Sequence, residues 1–114
     1  MSTITIEQAV SALKIDITGM VQGVGFRPHV YRLASRFGLK GFVRNTESGV
    51  EIRVEGDAGD AERFFAELME SLPEHARVYG TEQTVCEPAG YEEFLILESD
   101  PASGGVPIML PDLA

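Results

Sequence analysis

A glycine-rich segment, Gly19–Pro28, is the feature of this sequence that most restricts its local structure. It follows an alternation of apolar and polar residues around Ile15 and Ile17, typical of a half-buried strand, and it ends in a proline, which favours the first turn of a helix. Glycines let such a turn fold tightly, so that several backbone N–H groups converge on one anion. The helix start adds partial positive charge, and Arg27 adds a full charge on a planar donor group. The segment therefore predicts a phosphate-binding loop, against the plainer alternative of a turn without a ligand.

Hydrophobic periodicity predicts the order strand, helix, strand, strand, helix, strand. The first helical pattern ends at Gly38, the next strand ends near Asn45, and a short turn joins it to a third strand. The second helix ends at Pro73, and residues 77–87 and 91–98 supply one or two further strands. This order predicts an α+β, ferredoxin-like βαββαβ sandwich, in which two helices cover one face of a mostly antiparallel sheet.

The periodic pattern covers only part of the chain. Residues 14–98 are predicted to form one domain, and the 114 residues of the chain are enough for a single hydrophobic core. Residues 1–13 are expected to be an N-terminal extension. Residues 99–114 are rich in proline and glycine, and we expect a linker towards downstream domains of a longer chain.

Charge is unevenly distributed along the sequence. The formal net charge is −9, yet residues 14–44 carry six basic residues and one acidic residue. Residues 45–114 carry three arginines and sixteen acidic residues. An acidic protein repels nucleic acid, whereas a local basic region attracts small anions. The sequence therefore predicts a small anionic ligand and argues against an RNA-binding sandwich of similar topology, which would also need exposed aromatic pairs on central strands.

Other classes of protein and site lack support in the sequence. The single cysteine, Cys86, excludes an internal disulfide and a cysteine-rich zinc site, and His29 and His75 lie far apart, so no metal and no cofactor are predicted. No apolar run approaches the ~20 residues needed to span a bilayer, and the N-terminus lacks the pattern of a signal peptide. We expect a cytoplasmic protein without membrane or nucleic-acid partners.

Arg27 and Asn45 are expected to meet at one edge of the sheet. A strand–helix–strand crossover leaves its two strands parallel, so the C-terminal ends of both strands lie at the same edge. The first strand ends in the loop that carries Arg27, and the second ends at Asn45, 18 residues later. An isolated asparagine before a turn is usually a turn former, but its position opposite an anion site favours a role in the chemistry.

The remaining reactive side chains carry weaker signals. Cys86 lies in a strand pattern without a neighbouring base, so a buried structural thiol is expected rather than a nucleophile. His29 lies on the first helical turn beside the loop, where it either touches or modulates the substrate or is simply exposed. His75 carries no signal. The acidic residues of the second helix are expected to face water: Glu62, Glu67 and Glu70.

The loop Val21–Arg27 and the strand Gly41–Asn45 resemble the corresponding motifs of the acylphosphatase family, over about residues 14–98. The resemblance implies hydrolysis of an acyl phosphate, with Arg27 as the phosphate-binding and Asn45 as the water-orienting catalytic residue. It also implies that backbone N–H groups of the loop hold the phosphate oxygens, those of Gln22, Gly23, Val24, Gly25, Phe26 and Arg27. The leaving group is a stabilised carboxylate, so no metal or general base is required.

The sequence is also similar to the N-terminal domain of the HypF-type carbamoyltransferases of nickel–iron hydrogenase maturation. Pro28 directly after the arginine, the segment Gly49–Ile52 and the tail Leu110–Ala114 carry this similarity. It implies carbamoyl phosphate as substrate, downstream domains in the parent chain, and the protein HypE as the parent's partner. Two alternatives stay open: a non-catalytic module that captures carbamoyl phosphate for later domains, and a free-standing acylphosphatase.

Overall fold

The computed structural model describes residues 10–98. Their secondary structure follows the order βαββαββ, which confirms the predicted order and shows both of the predicted final strands. The elements are β1 (Val10–Met20), α1 (Phe26–Arg36), β2 (Lys40–Asn45), β3 (Gly49–Asp57), α2 (Ala58–Glu70), β4 (Arg77–Cys86) and β5 (Phe94–Ile96).

The strands form one five-stranded sheet in the order β4-β1-β3-β2-β5. The pairs β1–β3, β1–β4 and β2–β3 are antiparallel, whereas β2 and β5 are parallel. Helix α1 packs against β2 and β5, and α2 packs against β1 and β3 and contacts α1. The result is the predicted ferredoxin-like arrangement, with β1, β2 and β5 running in the same direction and ending at the same edge.

The core lies between the helices and the sheet, as the periodicity predicted. Helix α1 buries Val30, Leu33 and Ala34, and Gly38 ends it in the left-handed region with a φ of 70°. Asp57 is the N-cap of α2, and its carboxylate accepts hydrogen bonds from two backbone amides of the first turn; the helix buries Phe64 and Leu68. These helices meet the alternating apolar side chains of the central strands, Ile15, Ile17, Val43, Val50, Ile52 and Val54.

Strand β1 begins at Val10, four residues before Lys14, where the sequence predicted its start. Residues 10–13 pair with the far end of β3, and Ala12 is buried. The small residues in this stretch give only a weak alternation of apolar and polar side chains. Pairing with β3, rather than the local sequence pattern, therefore defines the start of β1. Residues 1–9 and 99–114, which hold the rest of the predicted extension and linker, lie outside the described residues.

The prediction that Cys86 is buried is wrong. Cys86 is half-buried at the end of β4, which among residues 10–98 is an edge strand paired only with β1. Most side chains of β4 are exposed, including Val85 at 79%. An apolar alternation alone does not distinguish such an edge strand from a central one.

The segment that connects β4 to β5 crosses from one edge strand of the sheet to the other. The side chain of Glu55, in the middle strand β3, binds this segment. This carboxylate, 6% exposed, accepts hydrogen bonds from the amides of Ala89 at 2.7 Å, Gly90 at 3.1 Å and Tyr91 at 3.3 Å. Arg53 Nε donates a further bond at 3.0 Å. Burial raises the pKa of Glu55, but these donors outweigh burial and hold the pKa below its ordinary value of 4.5.

We expect Glu55→Gln to lower the free energy of unfolding by about 2 kcal/mol at pH 7, because the three amides that it binds lose a charged, buried acceptor. Since the folded state depresses the pKa of Glu55, this stabilisation is complete above the unfolded pKa and is lost as pH falls through the folded pKa. The difference between wild type and variant should therefore shrink as pH falls below 4.5. Urea denaturation at pH 7 and at acid pH measures it, with the exposed Glu92→Gln as control. A difference that grows on acidification would contradict the assignment.

Candidate active site

The loop between β1 and α1 has the open geometry expected of an anion-binding loop. Gly23 and Gly25 have φ values of 77° and 80°, in the left-handed region that favours glycine. A Cβ added at either position would meet no heavy atom of residues 10–98 within 4 Å. Glycine is therefore needed here for backbone conformation and not for close packing, and the space above the loop is open.

The start of α1 leaves backbone N–H groups for a ligand. Gly25 is the N-cap, no side chain in the described part of the chain caps the helix, and the first turn contains no acidic residue. The first hydrogen bond of the helix runs from His29 N to Gly25 O at 3.2 Å. The amides of Phe26 and Arg27 come before His29 in the chain and have no acceptor within the helix. Uncapped amides at a helix N-terminus favour an anion. The Phe26 side chain is buried in the core, so only its amide is available to a ligand.

The guanidinium of Arg27 is held at the ends of β2 and β5. Its Nη1 donates to the Leu97 carbonyl oxygen at 2.7 Å, and the Leu97 amide in turn donates to the Val43 carbonyl oxygen at 2.9 Å. Four other arginines are paired with carboxylates: Arg36, Arg44, Arg53 and Arg63. Within residues 10–98, no carboxylate lies within 4.0 Å of the Arg27 guanidinium nitrogens. Its positive charge is therefore not neutralised by a carboxylate of this domain.

Asn45 lies at the same edge of the sheet as this loop. It is the last residue of β2 and is half-buried, and strand alternation places it on the helix-covered face, the face of Val43. Two contacts join its neighbourhood to the loop. Gln22 Nε2 donates to the Thr46 carbonyl oxygen at 2.7 Å, and the Gly19 amide donates to the Ser48 carbonyl oxygen at 2.9 Å. The predicted loop, Arg27 and Asn45 are thus brought to one region, while their chemical roles stay predictions.

The other candidate side chains lie elsewhere in the structure. His29 Nε2 lies 3.1 Å from Ser71 Oγ at the end of α2. Ser71 Oγ donates to the Glu67 carbonyl at 2.8 Å, so it accepts from His29. Burial and, next, the charge of Arg32 lower the pKa of His29 below its ordinary value, although a hydrogen bond to the Ser71 backbone acts to raise it. The hydrogen bond between the half-buried side chain of His29 and Ser71 connects α1 to the end of α2. His75 is exposed in a loop.

No group of three or more histidine, cysteine or acidic side chains in residues 10–98 is placed to hold a metal ion. No helix in the same range is long and apolar enough to cross a membrane.

Sequence reasoning missed two features of the site. The side chain of Gln22 bonds to the β2–β3 turn, although only its backbone was assigned a role. The Leu97 carbonyl, which holds Arg27, comes from a residue 70 positions later. Neither contact leaves a periodic or compositional signal, because one uses an isolated polar side chain and the other a backbone atom.

Comparison with known proteins gives related sequences of two very different lengths. HypF carbamoyltransferase from Rhizobium leguminosarum bv. viciae is 45% identical over 82% of this chain but only 12% of its own length. Acylphosphatase from Thermotoga petrophila is 43% identical over 75% of this chain and 94% of its own. The chain thus spans about an eighth of the length of the HypF relative and most of the length of the small acylphosphatase.

Solved structures show the same pairing of large and small relatives. The crystal structure of full-length HypF in its phosphate- and nucleotide-bound form superposes with a TM-score of 0.77 and 39% identity, over 80% of this chain and 12% of that one. Acylphosphatase from Coxiella burnetii superposes with a TM-score of 0.73 and 26% identity, over 80% of this chain and 96% of that one. The acylphosphatase family model matches residues 13–96, from the first strand to the last, and this chain therefore belongs to the acylphosphatase family.

Proposed function

We propose that this domain hydrolyses acyl phosphates, with Arg27 and the loop amides binding the phosphate and Asn45 orienting the attacking water. The carrying observation is that an arginine without a carboxylate partner in residues 10–98 lies at an uncapped helix start, at the same sheet edge as Asn45. Membership of the acylphosphatase family supports the same chemistry.

Phosphate binding in this scheme uses main-chain and side-chain donors together. The N–H groups from Gln22 to Arg27 face the equatorial phosphate oxygens, and the Arg27 guanidinium neutralises their charge. A guanidinium presents five N–H donors, and the hydrogen bond to Leu97 O uses one of them, on Nη1. That bond fixes the orientation of the side chain and leaves other donors for the ligand.

The reaction then needs a positioned nucleophile more than a strong base. The oxygen of a water molecule held by the Asn45 amide oxygen attacks phosphorus, the bond from phosphorus to the acyl oxygen breaks, and the carboxylate leaves with the electron pair. One water proton remains on the attacking oxygen in the phosphate product and the other passes to solvent or to phosphate. Because the leaving group is a stabilised anion, positioning and charge stabilisation are sufficient.

The relatives suggest a narrower substrate and a larger setting. HypF relatives are named carbamoyltransferases, so we propose carbamoyl phosphate as the physiological substrate, hydrolysed to carbamate and phosphate. In that setting residues 14–98 are the catalytic domain and residues 99–114 link it to downstream domains, and HypE is the proposed partner of the whole protein. The match over most of the small Thermotoga enzyme favours hydrolysis by the domain itself. The large relatives favour a second candidate, a module that captures carbamoyl phosphate for other domains.

A phosphate-release assay separates these functions. We expect the purified chain to release phosphate from both acetyl phosphate and carbamoyl phosphate, at a rate that a chelator such as EDTA does not change. Calorimetric binding of carbamoyl phosphate without release of phosphate would select the capture module. Neither binding nor turnover would contradict both candidates, and loss of turnover on chelation would contradict the proposed scheme.

A further inference from the structure

The site is assembled from two segments that do not neighbour each other in the sheet. The anion-binding loop follows β1, the β2–β3 turn follows Asn45, and strand β3 lies between β1 and β2. Positioning a water on a bound phosphate requires the two segments to keep a fixed separation, since reacting atoms must lie about 3–3.5 Å apart with the correct alignment. Something must therefore couple the loop to the turn.

The Gly19 amide at the end of β1 donates to the Ser48 carbonyl oxygen of the turn, and the side chain of Gln22 connects the loop itself to the turn. Its Nε2 donates to the Thr46 carbonyl oxygen at 2.7 Å and to the Gly49 carbonyl oxygen at 3.0 Å. Both partners are acceptors only, so the NH₂ end of the amide must face them and both of its hydrogens are used. Thr46 N also donates to Gly49 O at 2.9 Å. This bond closes the turn to which Gln22 is hydrogen-bonded.

The two ends of this connection lie next to the groups that the reaction needs. Gln22 immediately precedes Gly23 in the anion-binding loop, and Thr46 immediately follows Asn45. Holding the Thr46 carbonyl limits rotation of the backbone beside Asn45. Gln22 is exposed, so burial in the core does not account for its placement.

We propose that Gln22 is a positioning residue, whose side chain sets the distance between the phosphate-binding loop and Asn45. This inference rests on the proposed hydrolytic function. It assigns Gln22 a second role, separate from that of its backbone N–H, and the side chain itself does not contact the substrate.

The test is Gln22→Met, which keeps the length of the side chain and removes both donors. We expect kcat for acetyl phosphate to fall on the order of 10-fold, below the roughly 10²-fold cost of an ångström-scale misplacement. Inhibition by inorganic phosphate should change less than about 2-fold, because the loop amides and Arg27 remain. The matched control is Gln83→Met on the exposed strand β4, which should leave kcat unchanged.

A double-mutant cycle tests whether Gln22 acts through Asn45. In an Asn45→Ala background, Gln22→Met should have little further effect on kcat, because the positioned group is already absent. Losses that multiply would overturn the inference, as would an unchanged kcat in the single variant. A fall in phosphate affinity and melting temperature that accounts for the lost activity would also overturn it, in favour of a scaffolding role. Wild type without turnover would instead reject the proposed function, and the inference with it.

Discussion

Replacing Arg27 with alanine is expected to lower kcat/KM for acyl-phosphate hydrolysis by about 10³-fold or more. Removing one preorganised donor from a developing oxyanion costs about 10²–10³-fold, and an arginine acting on a transferring phosphoryl group is worth about 10³–10⁵-fold. In the proposed site Arg27 acts both as a preorganised donor and as a positive charge on the phosphoryl group. Its charge is available because it has no carboxylate partner within residues 10–98. Steady-state kinetics measures the loss of kcat/KM, and calorimetric titration with inorganic phosphate measures the loss of phosphate affinity.

Two further variants identify the cause of the loss. Arg32→Ala removes a charge from the exposed part of the same helix and should change kcat/KM by less than about 2-fold. Arg27→Lys keeps the charge but loses the planar group that bonds both Leu97 O and a phosphate, so its activity should lie between wild type and Arg27→Ala. Equal losses in Arg32→Ala and Arg27→Ala would point to the overall charge of the helix and contradict a specific role for Arg27.

Replacing Asn45 with alanine is expected to lower kcat by about 10²-fold, the cost of an ångström-scale misplacement of the attacking water. Inhibition by inorganic phosphate should remain within about 3-fold of wild type, because Asn45 acts on the water and not on the bound phosphate. A selective loss in kcat is the expected result for an interaction made in the transition state. The half-buried position at the end of β2 allows this truncation without opening the core.

Asn45→Asp provides the complementary measurement. It keeps the shape of the side chain and an acceptor for water, but it places a negative charge beside the anion site, so phosphate inhibition should weaken markedly. Normal kcat in Asn45→Ala, or a loss confined to phosphate binding, would show that Asn45 is only the turn former that its position before Thr46 also suggests.

Most of the fold was predictable because local periodicity reports which face of each element is buried. Val30, Leu33 and Ala34 have helical spacing and are buried as that spacing predicts, and Gly38 ends the helix with a positive φ. The start of β1 was not predictable, because residues 10–13 are ordered by pairing with β3 rather than by their own pattern. The exposure of β4 was missed because its edge position is a property of the whole sheet.

The location of the site followed from topology, whereas its supporting contacts did not. The crossover rule predicts that the loop and Asn45 lie at the same edge, and the sheet order confirms that shared edge. The bonds from Gln22 to Thr46 and from Arg27 to Leu97 join residues 24 and 70 positions apart. Such contacts depend on the assembled tertiary structure, so they cannot be predicted from amino-acid composition or residue spacing.

The bond between Arg27 and Leu97 links the orientation of Arg27 to the completed fold of the domain. An arginine near the beginning of the domain depends for its orientation on a carbonyl just beyond the last strand, 70 positions later. Contacts between residues far apart in a sequence generally form more slowly than local helices and hairpins, because loop closure costs entropy before the contact is made. Recovery of enzymatic turnover after dilution from denaturant should therefore lag behind recovery of helical circular dichroism.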